Sequence, residues 1–94
     1  MFKITLKETN KLVSFTDKFF SYDWRIMKRE GSSESFDFLA VNKDYNRTIT
    51  VSISRTNSKT LYLSIREGGK KIYTSFVKSY QDINIFKQMI RCLG

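Results

Sequence analysis

Between Phe36 and Phe76 the chain repeats runs in which apolar residues recur at alternate positions, separated by short polar tips. Phe36, Phe38 and Ala40 begin it. Ile49, Val51 and Ile53 follow, alternating with Thr48, Thr50, Ser52 and Ser54. Leu61, Leu63 and Ile65 then alternate with Thr60, Tyr62, Ser64 and Arg66. Ile72, Thr74 and Phe76 come last, interleaved with Tyr73, Ser75 and Val77. A period of two sends successive side chains to opposite faces of a strand, so each run is a strand with one dry face. Upstream, Trp24 and Ile26 alternate with Arg25 and Met27 and add a fifth run. The breaks GSSES (31–35), NKDYN (42–46), TNS (56–58) and Gly68-Gly69 have turn composition.

Register tests this reading, because a slip of one residue turns a whole apolar face to water. A two-residue loop at Gly68-Gly69 pairs Ile65 with Ile72 and Leu61 with Phe76. A three-residue loop at 56–58 pairs Ile53 with Leu61 and Val51 with Leu63. A four-residue loop at 43–46 pairs Phe38 with Val51 and Phe36 with Ile53. All three loop lengths are common in hairpins, and together they predict an antiparallel meander of about five strands.

The flanks carry the helical period. Phe2, Ile4 and Leu6 alternate with Lys3, Thr5 and Lys7 and predict a short initial strand. Leu12, Phe15, Phe19 and Tyr22 then recur at three- and four-residue steps, predicting a helix over 10–21 capped by Thr9 or Asn10. At the other end, QDINIFKQMIRCLG places Asn84, Lys87, Gln88 and Arg91 on one helical stripe and apolar residues around the rest. That apolar arc is wider than a helix needs to lie on a sheet. Either the helix sits between the sheet and the first helix, or part of it faces a partner. The expected fold is α+β. An N-terminal strand-helix and a C-terminal helix pack on one face of the meander, within a single domain over residues 1–94. A chain of this length buries roughly 60–65% of the surface its unfolded form exposes, enough to fold alone.

Several chemistries lack their residues. There is no histidine, which removes the commonest general base and a common metal ligand. The single cysteine, Cys92, builds neither a disulfide nor a zinc site; on the apolar arc it reads as a small buried hydrophobe. The acids are scattered, and the pairs Asp17/Asp23 and Glu30/Glu34 read as solvated charges. Neither GxGxxG nor GxxxxGK[ST] occurs. The expectation is a non-enzymatic protein without cofactor or metal. No run approaches 18 apolar residues, and the first residues lack the apolar core of a secretory signal. An intracellular, cytoplasmic location with no membrane partner is therefore expected, and the sequon Asn46-Arg47-Thr48 is read as chance.

The net charge is +8, and the excess is uneven: residues 48–94 contribute +6 of it. A one-signed field over half a small domain favours anionic partners. The predicted registers gather Lys43, Arg47, Arg66, Lys70 and Lys71 at one end of the sheet and Arg55, Lys59 and Lys78 at the other. Between the ends lies an outward face of Ser and Thr with Tyr62 and Tyr73 as diagonal neighbours. Hydroxyls bond phosphate and sugar, and aromatics on a basic sheet stack bases. The expected function is non-catalytic, largely sequence-independent binding of DNA or RNA through the phosphate backbone, as a monomer or homodimer. Each feature also has an ordinary origin: Thr favours strands, Gly-Gly favours hairpin turns, and charged strand ends discourage aggregation. The alternative is a small docking modulator or inhibitor of phage type, suited by the Lys- and Asn-rich usage. It would seat on an acidic or nucleic-acid-binding surface of a host nucleic-acid-processing or defence machine through Ile85, Met89, Leu39, Val41 and Tyr45.

Overall fold

Helix α1 spans Leu6–Asp23 and begins earlier than its apolar spacing predicts. The cause is a capping box. Thr5 Oγ1 accepts from the Glu8 amide at 3.1 Å, and Glu8 Oε1 accepts from the Thr5 amide at 3.2 Å. Two otherwise unpaired donors are thus satisfied at the first turn. The expected initial strand is not formed: residues 3–5 belong to no strand and Leu6 is already helical, while Phe2 lies outside the described residues. Ile4, just before the cap, is buried in the main hydrophobic core. Thr9, expected as a cap, instead donates its hydroxyl to the Thr5 carbonyl at 3.0 Å. The inward stripe is Leu12, Val13, Thr16 and Phe20, with Phe15 and Phe19 half-buried beside it. Tyr22, expected inside, points to solvent.

This computed structural model describes residues 3–31, 35–44, 46–56 and 60–93. After α1, five antiparallel strands follow in chain order: β1 (Trp24–Gly31), β2 (Ser35–Asn42), β3 (Thr48–Arg55), β4 (Leu61–Glu67) and β5 (Lys70–Phe76). Each strand is bonded to its sequence neighbour, so the sheet is a meander. Helix α2 (Tyr80–Arg91) closes the fold, its Phe86 and Ile90 buried in the same core as α1. Asp17 of α1 meets Arg29 of β1 at 3.4 Å, tying helix to sheet.

The β2–β3 register matches expectation, with Phe38 opposite Val51 and Phe36 opposite Ile53. The β3–β4 register is offset by two: Ile53 faces Leu63 and Val51 faces Ile65. A shift of two keeps every side chain on its face. β3 therefore ends at Arg55 and β4 begins at Leu61, with the Thr56 amide donating to the Thr60 carbonyl at 2.9 Å; residues 57–58 of the expected turn lie outside the described residues.

The β4–β5 hairpin departs more. Gly68 and Gly69 have φ of 57° and 87°, the two left-handed residues of a type I′ turn, as the sequence implies. Beyond the turn, however, Arg66 faces Lys71 while Ile65 faces Tyr73. Ile72 is an extra residue, a β-bulge, and it reverses the facing of the rest of β5. The expected Ile65–Ile72 and Leu61–Phe76 pairs do not form. Tyr73 turns inward, its ring 6.4 Å from that of Phe86, and Val77 is buried. Phe76 turns outward beside Tyr62. A second bulge, between Ile26 and Lys28, interrupts β1. Both bulged strands are the edges of the sheet.

The wide arc of α2 is mostly spent on the core. Ile83 and Met89 pack against it and Leu93 is buried, leaving Ile85 partly exposed. Cys92 corrects the expectation of a buried thiol: it caps the helix and is exposed, while Leu93 takes the inward position. Among the described residues no helix is long and apolar enough to cross a membrane, and no acid or cysteine cluster is arranged to hold a metal.

Candidate nucleic-acid interface

The chain path does bring Lys43, Arg47, Arg66, Lys70 and Lys71 to one end of the sheet, where the β2–β3 and β4–β5 turns adjoin. The Gly68 amide donates to the Thr48 carbonyl at 3.0 Å. The five cations are not equivalent there. Arg47 projects toward the helical layer and is fully engaged. Its Nε and Nη2 fork onto the two Glu67 oxygens at 2.9 Å each, and Nη1 donates to the Leu93 carbonyl at 3.0 Å. Its guanidinium lies 5.3 Å from the centroid of the Trp24 ring. Arg47 is therefore a tie joining β3, β4, the start of β1 and the end of α2, and not the free phosphate ligand the sequence suggested. The predicted registers put Asp44 and Glu67 beside these five cations, but counting charge does not show that Glu67 commits both its oxygens to Arg47.

The Arg47 hydrogen bonds hold the Glu67 carboxyl below its ordinary range, against a smaller opposing effect of desolvation. A depressed carboxyl contributes stability above its unfolded pKa and loses it as pH falls through the folded value. Both partners are about a third exposed (38% and 34%), so water screens the pair and the effect is modest. Glu67→Gln is expected to melt below the parent at pH 7, with the gap narrowing as pH falls through the carboxylate range. Thermal melts across that range check it.

Lys43 reaches Asp23 at 3.7 Å, and both groups are well exposed. Arg66, Lys70 and Lys71 are exposed and form no ion pair among the described residues. Arg66 and Lys71 stand opposite each other on the outer face of the sheet, the face without helices. Arg55 is not with them: it is half-buried at the far end of β3, its Nε buried without a hydrogen-bond partner among the described residues. Lys59 and Tyr45 lie outside the described residues.

Three rows on the outer face of β4–β5 follow from the pairing. Arg66 faces Lys71, Ser64 faces Thr74, and Tyr62 faces Phe76. The predicted aromatic pair is thus corrected: the bulge removes Tyr73 to the core and supplies Phe76. The Tyr62 and Phe76 rings lie 4.9 Å apart, tilted by 53°, with Phe76 58% exposed. Sequence reading missed Phe76 because β5 carries apolar residues at both parities, Ile72 and Phe76 on one, Tyr73 and Val77 on the other. Alternation alone cannot choose between them; only the bulge decides.

The residues of the alternative docking surface are not brought together. Leu39 and Val41 are half-buried on the outer face of β2, whereas Ile85 and Met89 belong to α2 on the opposite side. Met89 is engaged with the core. No protein-family model matches the chain, and no curated protein or solved structure matches it either.

Proposed function

We propose that the outer face of β4–β5 binds nucleic acid through its phosphate backbone, largely without regard to sequence. The observation that carries this reading is the opposition of Arg66 and Lys71 on an exposed face, with no carboxylate engaging either among the described residues. Lys70, the first residue of β5, is exposed too, but it pairs with Glu67 and so faces away from Arg66 and Lys71. The one acid nearest in the chain, Glu67, is committed to Arg47 on the other side of the sheet. Thr48, Thr50 and Ser54 of β3 extend the face with groups that hydrogen-bond phosphate and sugar. The role is binding rather than catalysis, in keeping with a chain that has no histidine.

The test is a salt titration of affinity for a fluorescent oligonucleotide. Neutralising phosphates releases counterions, so the two contacts at Arg66 and Lys71 give a slope of log affinity against log salt of about −1.4 for a single strand. Arg66→Glu combined with Lys71→Glu is expected to weaken binding at least ~100-fold at low salt with the circular dichroism spectrum unchanged. An affinity indifferent to salt, or a double variant that binds as well as the parent, refutes the reading.

A further inference from the structure

We infer that the nucleic acid is single-stranded and lies along β4 and β5, with phosphate held at Arg66 and Lys71 and a base stacked on Phe76. This rests on the phosphate-binding reading above and adds the class of strand and its path.

One outer-face row separates the cation pair from the aromatic pair, four residues along β4 from Arg66 to Tyr62. At ~3.4 Å per residue this is about 14 Å along the strand. The row between them, Ser64 and Thr74, is short and sits low, Ser64 being buried and Thr74 half-buried. A ligand that touches both ends must therefore be extended, anionic at one end and able to offer a flat apolar ring at the other. Extended single-stranded nucleic acid has this alternation of charge and ring. In a duplex the base faces are hidden in the stack, so an aromatic side chain gains nothing from them.

Phe76 is the observation that singles out this class. More than half of a large aromatic side chain is left in water at a position where the adjacent strand could have been polar. Its ring is braced by Tyr62 at 4.9 Å, so little side-chain freedom remains to be lost when a base stacks. Lys78, two positions beyond, is exposed, but its amide donates to the Asp82 carboxylate at 2.7 Å, so the path ends at the aromatic pair.

The path follows the strands instead of crossing them because of what stands on β1 and β2. Glu30 and Asp37 face each other on that half of the outer face. Lys28 is paired with Glu30 at 3.2 Å, and Ser52 donates its hydroxyl to Asp37 at 2.7 Å. A polyanion crossing the sheet toward β1 meets two carboxylates; one following β4–β5 meets none among the described residues.

The test compares three fluorescein-labelled probes of equal length, about 12 nucleotides: oligothymidine, an abasic sugar-phosphate strand, and a mixed-sequence duplex. Oligothymidine is expected to bind the parent protein at least ~10-fold more tightly than the other two. Phe76→Ala and Phe76→Leu should each lower oligothymidine affinity about tenfold and leave the abasic strand and the duplex unaffected, since neither substitution touches the cations. Two substitutions at one exposed position guard against a folding artefact, and circular dichroism confirms the fold. Duplex or abasic strand bound as tightly as oligothymidine, with Arg66→Glu/Lys71→Glu still abolishing binding, overturns the single-strand inference and leaves phosphate binding standing. Failure of all three probes to bind at low salt overturns both.

Discussion

Phe20→Ala is expected to leave most of the chain unfolded at 37 °C. Phe20 is fully buried where α1 gives way to β1, with its ring edge-on to Phe19 at 5.2 Å and to Trp24 at 5.6 Å. Truncating a buried phenylalanine costs about 3–5 kcal/mol, from lost transfer and from the cavity left behind. A domain of this size has a total stability of only roughly 5–15 kcal/mol, toward the lower end for short chains. The damage also spreads. Trp24, freed on one side, is the surface against which Arg47 lies, so the tie to Glu67 and Leu93 loosens too. Thermal denaturation should show the midpoint falling by more than about 12 °C. A fall below about 4 °C would mean that the surrounding helix collapses into the space.

Gly31→Ala has the next largest expected effect, for a different reason. Gly31 ends β1 opposite Phe36, with φ of 154°, in a region that residues bearing a Cβ rarely adopt. A Cβ added there comes within 2.7 Å of the Phe36 Cα and 2.9 Å of its Cδ1. Backbone strain of this kind costs of order 1–3 kcal/mol, and the partner strand must also give way. Phe36 stacks on Phe38, 6.4 Å between centroids at 19°, so the displacement reaches the core. Urea titration should show a lower midpoint with the slope unchanged. Gly68 shows the contrast: its φ is also positive, but an added Cβ meets nothing within 4 Å, so only the backbone term applies.

The parts of the fold legible in the sequence were those where one periodicity had no competitor. Ile49, Val51 and Ile53 permit one facing, and β3 takes it. The Gly68-Gly69 turn was legible because its backbone needs two positive φ values, which glycine supplies at no steric cost. The N-terminal strand was misread because three alternating residues match a strand as well as they match a buried Ile4 followed by a capping box. The Thr5-x-x-Glu8 spacing was the signal that resolves them. The candidate site was legible only in part. Arg66, Lys70, Lys71 and Tyr62 needed only the hairpin turn to be placed. Tyr73 and Phe76 depended on a bulge that propensity does not encode, and Arg47 depended on a carboxylate from another hairpin.

The bulges at the two borders of the meander bear on how copies of this chain behave when crowded. At Met27 and at Ile72 one residue stands out of step with its neighbour strand, so the outer row of amides and carbonyls is kinked and over-twisted there. A sixth strand arriving from another molecule would find its donors and acceptors misaligned on either flank, with Lys71 close by on the β5 side to repel a like-charged newcomer. Growth into a continuous ribbon is arrested by the sheet itself.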